Sequence, residues 1–246
     1  MSVNILYITY DGLTDPLGQS QVIPYLVGLS NKGYKITILS CEKKTNFLKN
    51  RDVIDSILSK NCISWVNIQY TKTPPIFSTL WDIYKLKQIA YKLFKTNNFN
   101  IVHCRSYIAS IIGTWIKKKY GVKFIFDMRG FYADERVDGK IWNRKNPIFN
   151  WIYSYFKKKE IEFLSIADYT ISLTLNGKRE IHKWKNIPNQ PIPIEVIPCC
   201  ADLKHFSKNN TNSIEINHTK TKLGITKNDF VISYLGSIGT WYMLPT

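Results

Sequence analysis

Short apolar runs alternate with longer helical patterns along most of this chain, and no other feature narrows its fold as much. The runs Ile5–Tyr10, Lys35–Ser40, Ser64–Gln69, Ile101–Cys104, Lys123–Asp127, Tyr169–Leu173 and Glu195–Ile197 are rich in Ile, Val and Tyr and mostly apolar throughout. Strands of that kind are buried on both faces, as in a parallel sheet covered by helices. Between them, Ser20–Asn31, Val53–Lys60, Thr79–Thr96, Ile108–Tyr120, Ile148–Ile166 and Asn176–Lys185 carry helical patterns. The alternation predicts an α/β fold, a Rossmann-like doubly wound parallel sheet. An apolar content of 44% over 246 residues excludes a disordered chain and is enough to bury a sizeable core.

Two stretches break the pattern. Met128–Pro147 follows a strand but mixes Gly130 and Gly139 with charges and aromatics, so a long functional loop is expected there. Ser207–Asn217 is polar and Asn-rich and reads as a linker, after which Lys220–Gly224 resembles the end of a short helix. Phe230–Leu235 reads as a fresh buried strand followed by a glycine turn, Gly236-Ser237-Ile238-Gly239. A second Rossmann-like unit would begin in this way. The expected organisation is one domain over residues 1–206, a linker region over 207–228, and over 229–246 the first strand and glycine turn of a second, truncated domain.

The formal charge of +16 comes from 34 basic residues, of which only six are Arg. Nucleic-acid interfaces lean on Arg for bidentate contacts, and no helix-turn-helix, RNA-binding sheet signature or zinc spacing is present. No nucleic-acid partner is expected. The five cysteines form no CxxC, and Cys199 and Cys200 are adjacent, so reduced thiols and no metal site are expected. The first apolar run lacks a basic leader, and no stretch approaches the length of a membrane span. A cytoplasmic protein is expected, with peripheral attachment at the inner face of the plasma membrane as an extension of that reading. Lys85, Lys87, Lys92 and Lys95 share a segment with aromatics, and Phe149, Trp151, Tyr153, Tyr155 and Phe156 crowd another. Such segments fit either an anionic membrane surface or ordinary helices with core aromatics and solvated lysines.

Ligands of an open parallel sheet bind beyond the carboxyl ends of its strands, which selects the loops after Tyr10, Cys104, Asp127 and Leu173. In the first loop Gly18 permits a close backbone approach, and Gln19, Ser20 and Gln21 open a helix whose N–H groups favour an anion or a hydroxyl-rich ligand. A plain turn with Ser20 as helix cap fits the same residues. In the second, His103 is either a packed core residue or a ligand, beside the rare Arg105. The third gathers Asp127, Arg129, Gly130, Asp134, Glu135 and Arg136. That group suits a general base, a sugar clamp or a phosphate clamp, and equally a structural ion-pair network.

These residues, in this order, resemble the GT-B-fold, family-four-like glycosyltransferases. The resemblance runs through Ile5–Gly12 and Asp15–Gln21, His103–Ser106, Phe126–Phe131 with Asp134–Arg136, Val196–Asp202 with Phe206, and Tyr234–Tyr242. It implies metal-independent transfer of a sugar from a nucleotide-sugar co-substrate to a glycan or lipid-linked acceptor, with retained configuration and no other cofactor, in polysaccharide or glycoconjugate synthesis. It also makes residues 1–206 the acceptor-side domain and the second unit the nucleotide-sugar domain.

Carried over by position, Asp127 and Arg129 stand in the region where many members place a catalytic His, and are the expected catalytic pair. Gly18, Gln19, Ser20, His103, Arg105, Gly130, Asp134, Glu135 and Arg136 are the expected acceptor-side residues. Gly236, Ser237 and Gly239 are expected to line the nucleotide-sugar diphosphate. Because the donor half is cut short, residues 1–246 alone are expected to lack turnover. The alternative is a non-catalytic binding module, or one half of a split enzyme working with a separate C-terminal chain.

Overall fold

In the computed structural model, residues 2–203, 206–226 and 228–235 are described. Seven strands, β1 (Asn4–Thr9), β2 (Lys35–Glu42), β3 (Ser64–Gln69), β4 (Ile101–Arg105), β5 (Lys123–Asp127), β6 (Tyr169–Ser172) and β7 (Ile194–Val196), form one sheet in the order β3-β2-β1-β4-β5-β6-β7. Every pairing is parallel. The seven strands expected between residues 5 and 197 are all present, each within two residues at either end.

Alternate residues of the central strands feed two cores, one on each face of the sheet, which is why the runs read as continuously apolar. Leu6 and Ile8 of β1, Val102 and Cys104 of β4, and Phe124 and Phe126 of β5 face one way. They pack with α3 (Phe77–Thr96), α4 (Ser106–Tyr120) and α6 (Pro147–Ile166). Tyr7, Ile36 and Ile38 face the other way, against α1 (Ile23–Ser30) and α2 (Lys44–Lys60). The chain winds outward in both directions from β1 and β4, so the crevice above their carboxyl ends is the switch point of the sheet.

Three expectations change. The first helix begins earlier than Ser20: residues 16 and 17 are already helical, and a π-helical turn at Gly18–Val22 leads into α1. Ser20 is therefore not a cap; its hydroxyl donates back to the Pro16 carbonyl at 2.9 Å. The π turn sits where Pro24, lacking an N–H, breaks the ordinary ladder. Next, the long loop after β5 contains a helix, α5 (Tyr132–Asp138), hidden in sequence because Ala133 is its one buried residue. Lastly, residues 230–235 are exposed and take no strand pairing among the described residues; Phe230 is 92% and Leu235 102% exposed. A strand is stabilised by the ladder it joins, and the segment meets no such neighbour there.

Residues 207–228 also carry more structure than a bare linker, with α8 (Ser213–Lys222) capped by Asn212, whose side chain accepts from the Ile214 N–H. Helix α7 (Leu175–His182) lies between β6 and β7 and starts on a Thr174 cap. All five cysteines are free thiols.

Candidate functional site

Strand register builds the floor of the site. Thr9, Arg105 and Asp127 are neighbours across β1, β4 and β5, and one pleat below them Tyr7 pairs with His103. The Asp127 carboxylate is the hub. Its oxygens lie 3.7 Å from Arg105 Nη1, 3.7 Å from Arg129 Nη1 and 3.8 Å from His103 Nε2. Asp11, from the first loop, adds a carboxylate 3.7 Å from Arg105 Nε. Asp127 and Arg105 are buried, at 5% and 4% exposure.

The π turn supplies the opposite wall. Gln21 Oε1 accepts from Arg129 Nη2 at 2.8 Å and from Arg105 Nη2 at 3.1 Å. Gly18 makes this placement of the turn possible. A Cβ there would stand 2.2 Å from the Gly12 carbonyl oxygen and 2.6 Å from Leu13 Cα. The close approach expected of Gly18 is thus to its own chain, where only glycine leaves room. Beneath the first loop, the buried Glu42 accepts from the Leu13 and Thr14 N–H groups at 2.7 and 3.1 Å and from the Ser40 hydroxyl at 2.6 Å. That carboxylate fixes the loop to β2.

Together these walls enclose a cavity of about 190 Å³ lined by Ser20, Gln21, Tyr25, Arg105, Asp127 and Arg129, with Ile197, Pro198, Cys199 and Cys200 beyond β7 closing one side. Cys199 Sγ is 3.3 Å from Arg129 Nη2. His103 lies under the floor, edge-on to the Tyr7 and Tyr25 rings at 4.7 and 5.9 Å. Burial pushes the Tyr7 hydroxyl well above its ordinary range and Asp127 adds to the shift, so this phenol stays protonated. Tyr25 is raised for the same two reasons. Arg105 Nε, His103 Nε2 and Asp127 Oδ1 are buried with no hydrogen-bond partner among the described residues.

The other sequence candidates fall elsewhere. Gln19 turns back to donate to the Thr14 carbonyl at 2.9 Å. Asp134 accepts from Tyr153 and Lys157 of α6, both at 2.8 Å. Arg136 stacks over Tyr132 at 4.2 Å. Glu135 is packed against Gly130, and burial raises its carboxyl above the usual range. These three acidic and basic residues tie α5 down beside the site. Gly130 and Arg129 both hold positive φ, +150° and +62°, and Tyr107 Oη lies 3.2 Å from the Gly130 carbonyl oxygen while also bonding the buried Glu160. Tyr107 thereby supports the backbone that aims Arg129 into the cavity. Gly236, Ser237 and Gly239 lie outside the described residues. Among the described residues no cluster of three His, Cys, Asp or Glu side chains could hold a metal ion, and no helix is long and apolar enough to cross a membrane.

Sequence reasoning placed Gln21 at the ligand-facing start of the first helix but gave its side chain no role, and it passed over Glu42, Tyr7 and Tyr25. A carboxylate ending a buried apolar strand was the available signal for Glu42. Nothing local marks Gln21, whose role depends on two arginines far along the chain.

The sequence from residue 21 to residue 205, three quarters of the chain, matches the family model of Glycosyltransferase Family 4. The chain belongs to that family. This family 4 chain also shares its fold with solved structures of very different sequence. Sucrose-phosphate synthase from Thermosynechococcus elongatus is 11% identical, with a TM-score of 0.59 over 92% of this chain and 53% of that one. Anabaena Alr3699/HepE, solved in complex with UDP and glucose, is 10% identical, with a TM-score of 0.55 over 89% and 50%. UDP-N-acetylglucosamine 2-epimerase from Rickettsia bellii is 12% identical, with a TM-score of 0.51 over 92% and 52%. At such identities the likeness is one of fold, and an epimerase among them shows that this fold alone does not specify transfer. No curated protein sequence gives a significant match. The chain spans about half the length of the solved structures it matches.

Proposed function

We propose that this chain is the acceptor-side part of a glycosyltransferase that moves a sugar from a nucleotide-sugar to a glycan or lipid-linked acceptor, with retention, in polysaccharide or glycoconjugate synthesis. One observation carries the reading: in a family 4 chain, Gln21, Arg105, Asp127 and Arg129 converge on one cavity at the switch point of the sheet. In the reaction an acceptor oxygen bonds to the anomeric carbon as the bond to the diphosphate breaks, and the acceptor's proton passes to the departing diphosphate. Negative charge grows on the departing diphosphate, and fixed cations lower the barrier to that step. Arg129, which lines the cavity and is anchored by Gln21, is the group we assign to it. Asp127, held between two guanidinium groups, is positioned to accept a hydrogen bond from an acceptor hydroxyl. A uridine nucleotide-sugar is the donor we would try first, because HepE is bound to UDP and glucose.

The arginines and the carboxylate line one wall of such a cleft, and we assign the nucleotide-sugar wall to residues from 229 onward and to chain outside the present sequence. Residues 1–246 by themselves then turn over no donor. The test is a transfer assay with radiolabelled nucleotide-sugars and a glycan and lipid extract. It is run on residues 1–246 alone and mixed with a separately produced nucleotide-sugar-binding domain. Transfer by the mixture alone supports the whole reading. Turnover by residues 1–246 overturns the division of labour, and transfer by neither overturns the assignment.

A further inference from the structure

A second recess opens on the same edge of the sheet, beyond the carboxyl ends of β2 and β3. It has a volume of about 840 Å³, and Lys43, Lys44, Lys72 and Lys85 line it together with Thr45 and Thr71. No carboxylate is among its lining residues. Two of the lysines are set in place by acids buried outside the recess: Lys43 by Asp15 at 2.7 Å and Lys85 by Asp82 at 2.8 Å. Lys85 spends its remaining donors on the Gln69 carbonyl and the Thr71 hydroxyl, at 2.6 and 3.1 Å. Lys44 and Lys72 have no acidic partner among the described residues. After these pairings the recess keeps two uncompensated positive charges.

Backbone polarity points the same way. Lys43, Lys44 and Thr45 are the cap and the first two residues of α2, a 17-residue helix with no side-chain cap and no acid in its first turn. The positive end of its dipole therefore faces the lysines, and an anion is favoured there. Beside the recess α3 exposes a ledge of Phe77, Leu80, Trp81 and Tyr84, which are 70%, 57%, 54% and 51% accessible. The Trp81 and Tyr84 rings stack at 5.4 Å, and Trp81 stands one turn before Lys85.

We propose that this recess binds a phosphate monoester, a site separate from the Asp127 cavity and independent of the transfer reading. A compact dianion matches two uncompensated ammonium groups lining a recess at a helix N-terminus. The phosphate belongs either to a small soluble molecule or to a lipid whose apolar part rests on the Trp81 ledge.

The experiment uses the full 246-residue chain at physiological ionic strength, where diffuse surface attraction is screened. Glycerol 3-phosphate is titrated by calorimetry, and vesicles of phosphatidylcholine and phosphatidic acid in a two-to-one mixture are tested by sedimentation. The variant is Lys44→Ala with Lys72→Ala, both exposed. The control, Lys32→Ala with Lys60→Ala, removes the same charge at the opposite edge of the sheet. Saturable binding that the first pair weakens by about tenfold or more, and the control leaves unchanged, is the expected result. Tighter binding to the vesicles than to glycerol 3-phosphate, reduced by Trp81→Ser, assigns the phosphate to a lipid; equal binding assigns it to a soluble ligand. Equal losses in both double variants, or no saturable binding of either probe, overturn the proposal.

Discussion

Gln21 accepts a hydrogen bond from Arg129 at 2.8 Å, joining residues 108 positions apart in the chain. The same oxygen accepts from Arg105, so one neutral amide holds two guanidinium groups in place without neutralising either. That choice adds no further carboxylate to a site that already sets Asp127 and Asp11 against the two guanidinium groups. Gln21→Glu replaces it with a carboxylate and converts both contacts from charge–dipole hydrogen bonds to ion pairs. We expect stability to rise by about 1 kcal/mol and affinity for anionic ligands in the cavity to fall. Urea denaturation and nucleotide-sugar titration measure the two effects, which should move in opposite directions.

Glu42 makes the first loop a fixed wall. Glu42→Ala leaves the Leu13 and Thr14 N–H groups and the Ser40 hydroxyl without their acceptor in a buried place. A loss of about 3 kcal/mol or more is expected, read as a lower denaturation midpoint.

Gly18→Ala drives a methyl group into the backbone of Gly12 and Leu13, and overpacking of this kind costs roughly 1–3 kcal/mol. Gly28 in α1 is the contrast, since nothing lies within 4 Å of its would-be Cβ. Gly28→Ala should stabilise by about 0.5–1 kcal/mol through helix propensity. If both variants shift the melting temperature in the same direction, the close packing of the π turn is refuted.

Asp168 ties the start of β5 to α4. Burial works to raise its carboxyl, but the bonds from Lys117, the Phe124 N–H and Lys123 outweigh that and hold it below its ordinary value. A folded-state value below the unfolded one stabilises the fold above the unfolded value, near pH 4, and the gain is lost as pH falls through the folded value. Asp168→Asn should therefore cost about 1 kcal/mol at neutral pH, with solvent screening of a partly exposed group included. The two proteins should converge in stability as pH falls through the folded value. A gap that persists in acid would sink this assignment.

Arg129→Lys keeps the charge but loses the planar fork that reaches Gln21 and Asp127 together. In the reconstituted transfer assay we expect a fall of roughly a hundredfold in turnover. Circular dichroism should be unchanged, because Arg129 is partly exposed at the cavity wall.

The positions of the strands were legible because burial on both faces leaves continuous apolar runs, as in Leu6–Ile8 and Phe124–Phe126. Helix α5 and the front half of α2 were not, since each exposes most of its surface and carries little apolar periodicity. Of the candidate site, Asp127, Arg129 and Arg105 could be picked out from their places at strand ends. Asp134, Glu135 and Arg136 look equally catalytic in one dimension, and packing alone turns them toward Tyr153, Gly130 and Tyr132.

The chain by itself determined the parallel α/β sheet and the edge at which ligands are met, because hydrophobic burial follows the local pattern of apolar residues and the strand ends follow from it. Tertiary structure decided which charges face that edge. Gln21 meets Arg105 and Arg129 only through strand order, register and the π turn around Gly18, and these are set by contacts between residues that are distant in sequence.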